Sequence, residues 1–275
     1  MIESGVRPSR PGVAFLFAVP IGVLGGLIGL GGAEFRLPVL AGVLGYAARQ
    51  AVSLNLAVSM VTLAASLAIR GTTLSLAPLA PLAPVLPALI AGAMVTAFIG
   101  PALAGRLSNE QLERVILVLL VGIGLALIVE GLVAKESGGL IPLVLAGQVL
   151  AGVGFGLAIG LVSSLLGVAG GELIIPTLVF AFGADIKTAG TGSLLVSLPT
   201  VFVGLVRYAR LGAFADGQPW LDTVAPMGVG SIIGALIGGA IVGVIPAGIL
   251  KIGLGVILNV SALRIFHHTR SSRRA

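Results

Sequence analysis

The sequence predicts an all-α polytopic membrane protein, and three observations support this prediction. Hydrophobic residues make up 57% of the 275 positions and charged residues only 9%, whereas a soluble domain carries about 25% charged residues. The apolar runs are continuous and long, which indicates membrane-spanning helices rather than the alternating strands of a barrel. A glycine-rich stretch also occurs twice, which predicts two homologous halves.

The repeated stretch interrupts a long apolar run with small residues, one carboxylate and one proline. The first copy, residues 29–38, reads GLGGAEFRLP, and the second, residues 167–176, reads GVAGGELIIP. The glutamates Glu34 and Glu172 therefore lie 138 residues apart. We expect the two prolines to limit the short helices that follow the glycines. The residues assigned to the backbone of this motif are Gly29, Gly31, Gly32 and Pro38, with Gly167, Gly170, Gly171 and Pro176.

The same spacing relates polar positions beyond the motif. Asn55 corresponds to Ser193, and Ser59 corresponds to Ser197. We therefore predict that residues 1–135 and 136–275 are two membrane repeats of one integral membrane domain. Duplicated halves are typical of secondary transporters, whose binding sites lie near the middle of the membrane where the repeats meet.

The number of membrane crossings follows from the lengths of the apolar runs. The segments after each motif, 37–46 and 173–182, hold about ten apolar residues, which span only about 15 Å as helix. We predict about eight transmembrane helices in two four-helix halves, each with a broken or re-entrant segment. Four crossings per half would make the halves parallel, whereas five would invert them, and the basic residues barely separate these schemes. Both schemes place the two termini in the cytoplasm.

Several function classes lack their characteristic residues in this sequence. It has no cysteine, and its two histidines are the adjacent His267 and His268, so we expect no metal site. No nucleophile–base pair or phosphate-binding loop is visible, which argues against an enzyme and against an ATP-driven pump. The net charge of +6 includes a basic tail typical of a cytoplasmic anchor. We expect no cofactor and no nucleic-acid partner.

Glu34 and Glu172 are the main anomaly of the sequence. A charged side chain at the centre of the bilayer costs about 2.5–3.5 kcal/mol on insertion scales. One interpretation places both carboxylates in a central cavity, where they take a proton, hold a cation or order a substrate site. The other places each carboxylate in the first turn of a short helix, where the helix dipole stabilises it. The two interpretations are compatible.

Polar and basic side chains shortly after each motif are candidates for substrate contacts. Asn55, Thr191 and Ser193 either line a pathway or hold helices together. Arg49 and Lys187 occupy equivalent positions and would suit an anionic ligand, although such residues also extend to the interface from helix ends. Arg36 has less weight because its counterpart in the second copy is not basic.

The duplicated Gly-x-Gly-Gly-x-Glu-type segment closing with proline resembles the TauE/SafE family of sulfite exporter-like membrane proteins. The resemblance covers about residues 12–265, and it is best in 167–176 and 188–193, although Ala33 stands where a third glycine is common. It implies a secondary transporter of the inner membrane that moves small anions, often sulfur-containing ones such as sulfite.

Our first hypothesis is therefore a secondary transporter that exports a small anion, driven by an ion gradient or the membrane potential. Glu34 and Glu172 are its candidate coupling site. A second hypothesis is a membrane scaffold or assembly factor whose glutamates only cap helices. A third is a cation channel or carrier that uses both carboxylates directly. The sequence leaves the substrate, the direction of transport, the coupling ion and any homo-oligomer open.

Overall fold

The computed structural model describes residues 10–46, 48–103, 121–122, 124–125, 127–129, 132, 139–141, 144–166, 169–210, 214 and 219–272. This part of the chain is helical. The α-helices are α1 (Pro11–Ile28), α2 (Ala33–Pro38), α3 (Ala48–Thr73), α4 (Val85–Leu103), α5 (Leu145–Leu166), α6 (Gly171–Pro176), α7 (Ile186–Arg210), α8 (Ala225–Ile241) and α9 (Ala247–Ser272). The fourth crossing predicted between about 108 and 135 lies largely outside the described residues.

Five of the helical segments are long and apolar enough to cross a membrane. They are Pro11–Ile28, Gln50–Thr73, Leu145–Ser163, Ile186–Arg210 and Trp220–Ile241. Three shorter apolar helices, Val85–Phe98, Gly171–Ala181 and Ala247–Ile257, accompany them. These segments show a helical membrane architecture. The total of eight spans remains a prediction.

The short helices after the two motifs correspond to each other residue for residue. α2 and α6 each contain six residues, and each continues into a five-residue π-helix, Val39–Val43 in the first half and Thr177–Ala181 in the second. Pro38 and Pro176 are the last residues of α2 and α6, as predicted, but the helical conformation does not end with them. A proline removes one N–H donor from the helical ladder, and here the chain stays helical by widening into π-helix rather than ending.

Helices from opposite halves form the closest packing in the fold. α1 packs along α8, where a Cβ at Gly234 would lie 2.1 Å from the Val19 carbonyl oxygen. The equivalent pair is α4 with α5, where a Cβ at Gly156 would lie 2.4 Å from the Leu89 carbonyl oxygen. Glycine lets two helix backbones approach this closely, so the high glycine content is used to join the halves.

α3 and α7 pack against each other in opposite directions. At one end, Arg70 Nη1 of α3 donates to Thr191 Oγ1 of α7 at 3.0 Å. At the other end, a Cβ at Gly204 would lie 3.6 Å from Leu56 Cδ1. Because α3 and α7 are counterparts in the duplication, their antiparallel packing means that one half is inverted relative to the other. Of the two schemes left open by the sequence, the contacts favour inverted halves, which accompany five crossings per half rather than the predicted four.

The short segment of the second half runs back along the helix before it. A Cβ at Gly170, before α6, would lie 3.4 Å from Ser163 Cβ near the end of α5. Phe182, after the π-helix, stacks edge-on with Phe155, two turns earlier in α5, at 6.2 Å between ring centroids. α5, the glycine turn and α6 therefore form a helical hairpin, which brings the glutamate to the interior of the fold.

Candidate functional site

Tight turns at the glycines position both glutamates. Gly32 and Gly170 have φ values of 73° and 77°, a left-handed conformation that other residues adopt only at a cost. Each precedes its short helix directly, so Glu34 and Glu172 lie in the first turn of α2 and α6. The backbone conformation of Gly167 lies outside the described residues.

The two glutamates meet in the interior. Their carboxyl groups interact electrostatically and through a side-chain hydrogen bond with each other. Glu172 is 7% exposed, and Glu34 Oε1 is a buried oxygen with no hydrogen-bond partner among the described residues. The glutamates occupy one site. The interpretation in which each glutamate only caps its own short helix therefore does not describe this arrangement.

Arg36 lies beside the carboxyl pair and is fully buried. It interacts electrostatically with Glu34. Its Nη1 donates to Asn55 Oδ1 at 3.3 Å and to Ser59 Oγ at 2.9 Å, and its Nη2 donates to Thr62 Oγ1 at 2.9 Å and to the Gly31 carbonyl at 3.3 Å. Charged donors in such networks form strong hydrogen bonds, so the first half holds a fixed positive charge at this site.

The second half has the counterparts of this network without the arginine. Ile174 occupies the position equivalent to Arg36. Ser193 and Ser197, which correspond to Asn55 and Ser59, are 0% exposed, and neither hydroxyl has a hydrogen-bond partner in the described part of the chain. An unpaired buried hydroxyl costs about 1–3 kcal/mol. Ser193 and Ser197 are thus unsatisfied hydroxyls of the second half, while Glu34 Oε1 and Arg36 Nε are unsatisfied atoms of the first.

Arg70 joins the two halves near the end of α1. It is 0% exposed, its Nε donates to the Gly26 carbonyl at 2.9 Å, and its Nη2 donates to the Leu27 carbonyl at 2.7 Å. Its Nη1 donates to the Lys187 carbonyl and to Thr191 Oγ1, each at 3.0 Å. The cation thus satisfies carbonyls in the last turn of α1, where the helix dipole favours positive charge.

The other predicted site residues divide between these two networks and the periphery. Asn55 belongs to the Arg36 network, where its Oδ1 accepts from Arg36, and its Nδ2 donates to the Ala33 carbonyl at 3.1 Å. Thr191 serves the Arg70 network. Lys187 Nζ instead donates to the Gly243 carbonyl at 2.8 Å, after α8. Arg49 lies in the first turn of α3, and its side chain is outside the described residues.

Sequence reasoning gave too little weight to both buried arginines. Arg36 has little weight in the sequence because it is not duplicated, and Arg70 is not among the predicted site residues. The available signal was position: Arg36 lies within the glycine motif itself, two residues after Glu34. A charge at that place in an apolar chain needs a partner.

Comparison with known proteins agrees with the duplicated motif. The family model for sulfite exporter TauE/SafE matches residues 2–127 and 150–275. The chain belongs to the sulfite exporter TauE/SafE family. The match covers both motifs and most of both halves, so the family resemblance predicted from the sequence is confirmed. No curated protein and no solved structure matches the chain.

Membership of the TauE/SafE family assigns the chain to multi-pass membrane transporters that export sulfite-like anions. The internal repeat, the transmembrane helices and the transport role predicted from the sequence agree with this assignment. The roles of individual site residues and the repeat boundary at residue 135 remain predictions.

Proposed function

We propose that this protein is a secondary transporter of the inner membrane that exports a small sulfur-containing anion. The observation that carries this proposal is the meeting of Glu34 and Glu172, one from each half, in a buried site of a chain from a sulfite exporter family. Sites at the interface of inverted repeats are the usual location of substrate and coupling ions in secondary transporters.

The energetics of export agree with this direction of transport. A cell interior is electrically negative, and moving one charge across 100 mV changes the free energy by about 2.3 kcal/mol. Expelling an anion is therefore downhill. A coupling ion is not required for the direction itself; in this proposal Glu34 and Glu172 are the site at which a coupling ion would bind.

The substrate contacts we propose are the polar groups nearest the carboxyl pair. Ser193 offers a buried hydroxyl without a partner among the described residues, and Asn55 and Thr191 lie in the adjoining arginine networks. Lys187 and Arg49 are weaker candidates. The Lys187 ammonium donates to the Gly243 carbonyl, and the case for Arg49 depends on its sequence position alone.

Sulfite flux in proteoliposomes tests the proposal. Vesicles that contain the wild-type protein and labelled sulfite should release the sulfite faster than protein-free vesicles with the same load, under a potential that favours anion exit. The Glu172→Gln variant should abolish this flux while expression and membrane insertion persist. Wild-type flux in the variant would remove Glu172 from the transport site.

Two further measurements separate the alternatives. A scaffold or assembly factor should show no thermal stabilisation by sulfite, sulfate, thiosulfate or sulfonates. A cation carrier should show flux that follows the cation gradient and ignores the anion present. Stabilisation by one anion, together with anion-dependent flux, is the result that the transporter proposal requires.

A further inference from the structure

The two halves of the site differ in one residue that carries charge. In the first half, the Arg36 guanidinium binds the polar side chains of α3 and interacts with Glu34. In the second half, Ile174 stands in its place. Ser197 and Thr200 match Ser59 and Thr62, and Ser193 replaces Asn55. The second half therefore keeps hydroxyl groups at these positions and lacks the cation.

The charge balance at the site depends on a single proton. Glu34 and Glu172 interact with each other, and Arg36 is the cation with which Glu34 interacts among the described residues. A hydrogen bond between the two carboxyl groups needs a proton on one of them, and with that proton Arg36 balances the remaining carboxylate. Without the proton, two carboxylates and one guanidinium leave one negative charge in a buried environment, where an uncompensated charge is costly. One additional positive charge would neutralise the site.

Ser193 approaches the residue that precedes Glu172, and two further buried oxygen atoms of the corresponding networks are unpaired. The Cβ position of Gly171 lies 3.1 Å from Ser193 Oγ and 3.0 Å from the Leu30 carbonyl oxygen. Ser193 Oγ, Ser197 Oγ and Glu34 Oε1 are buried and have no hydrogen-bond partner in the described chain. Carboxylate, hydroxyl and carbonyl oxygens are the hard ligands that alkali and alkaline-earth cations prefer.

We propose that one sodium ion binds at Glu172, Ser193 and Ser197, in the place that the Arg36 guanidinium takes in the first half. A monovalent ion matches the single uncompensated charge. Its role as a coupling ion rests on the proposed anion transport: once the ion has neutralised the carboxyl pair, an anion can enter the site without repulsion. Sodium and anion should therefore bind cooperatively.

Thermal unfolding of the purified full-length protein tests the sodium site directly. With ionic strength held constant, replacing choline chloride by sodium chloride should raise the unfolding temperature saturably, as expected for a ligand that binds the native state. Ser197→Ala should weaken the apparent sodium affinity by about tenfold or more, as expected for a lost ligand contact. Equal unfolding temperatures of the wild-type protein in sodium and choline would overturn the proposal.

A variant that carries a fixed positive charge at the proposed ion position gives the more discriminating test. Ile174→Arg introduces the counterpart of Arg36 and should eliminate the sodium response, whereas the volume-matched Ile174→Leu should keep it. Ser231→Ala is the control for Ser197→Ala, because Ser231 is an equally buried, unpaired serine in α8. A sodium response that survives in Ile174→Arg, or that is lost equally in Ser231→Ala, contradicts the proposed position.

Sulfite titrations in the two salts distinguish this inference from the proposed function. The inference predicts that sulfite stabilises the wild-type protein more strongly in sodium than in choline. Equal sulfite stabilisation in both salts would overturn sodium coupling but would not contradict the proposed anion transport. Sodium stabilisation without any response to sulfite would support the sodium site and contradict the proposal that sulfite is the transported anion.

Discussion

Arg36 is held by side chains that are remote in sequence. Its partners Asn55, Ser59 and Thr62 follow it by 19, 23 and 26 residues, and they project from successive turns of α3. A comparison of the two motif copies could find the shared glutamates, but it discounted this arginine because only one copy has it. Internal symmetry identifies what the halves share, whereas the charge balance of this site depends on where they differ.

Replacing Arg36 with methionine should destabilise the protein by about 3–5 kcal/mol, the usual cost of removing one partner from a buried charge network. The substitution leaves Glu34 without its cation, and it removes four hydrogen bonds from the Arg36 guanidinium. Denaturant unfolding in detergent measures the change. A loss below about 1 kcal/mol, as for an exposed pair, would show that the network is not formed.

Arg70 presents a different case, because its partners are mainly backbone carbonyls. Arg70→Leu should lower stability by about 3 kcal/mol or more, since the carbonyls of Gly26, Leu27 and Lys187 lose a buried charged donor. Thermal unfolding of the variant checks this, and Arg210→Leu, at the exposed end of α7, serves as the control. Equal unfolding temperatures for the two variants would contradict the role of Arg70 as an inter-half contact.

At the scale of elements, the sequence predicted close helix packing but not the partners. The glycine count indicated backbones in contact, yet glycine spacing alone does not tell which helices meet. The structure pairs α1 with α8 and α4 with α5, each pair drawn from both halves. The short helices were predicted from their length, whereas their π-helical continuation was not, because proline usually signals an end.

Two glycines in α5 provide a matched test of this packing. Gly156→Ala should destabilise the protein by about 1–3 kcal/mol, because its Cβ would lie 2.4 Å from the Leu89 carbonyl oxygen of α4. Gly154→Ala should be neutral or stabilise by up to about 1 kcal/mol, since no described atom lies within 4 Å of its Cβ position. Unfolding in detergent compares them, and a smaller loss for Gly156→Ala than for Gly154→Ala would refute the α4–α5 contact.

For the whole molecule, the sequence established the class and the duplication, while the relative direction of the halves needed contacts. Basic residues could not decide the direction, because both crossing schemes place similar numbers on the same side. Arg70 with Thr191, and Leu56 with Gly204, decide it through the antiparallel packing of α3 and α7. In this inverted arrangement Glu34 and Glu172, one from each half, lie at one place.

A double-mutant cycle on the two glutamates tests this single site most directly. Sulfite flux should be measured in proteoliposomes containing wild-type protein, Glu34→Gln, Glu172→Gln and the double variant. If the carboxyl groups work as one unit, each single substitution should lower the flux by at least about tenfold and the double substitution should add little. Two separate helix caps would instead give wild-type flux in each single variant, or losses that multiply in the double variant, and either result would contradict the shared site.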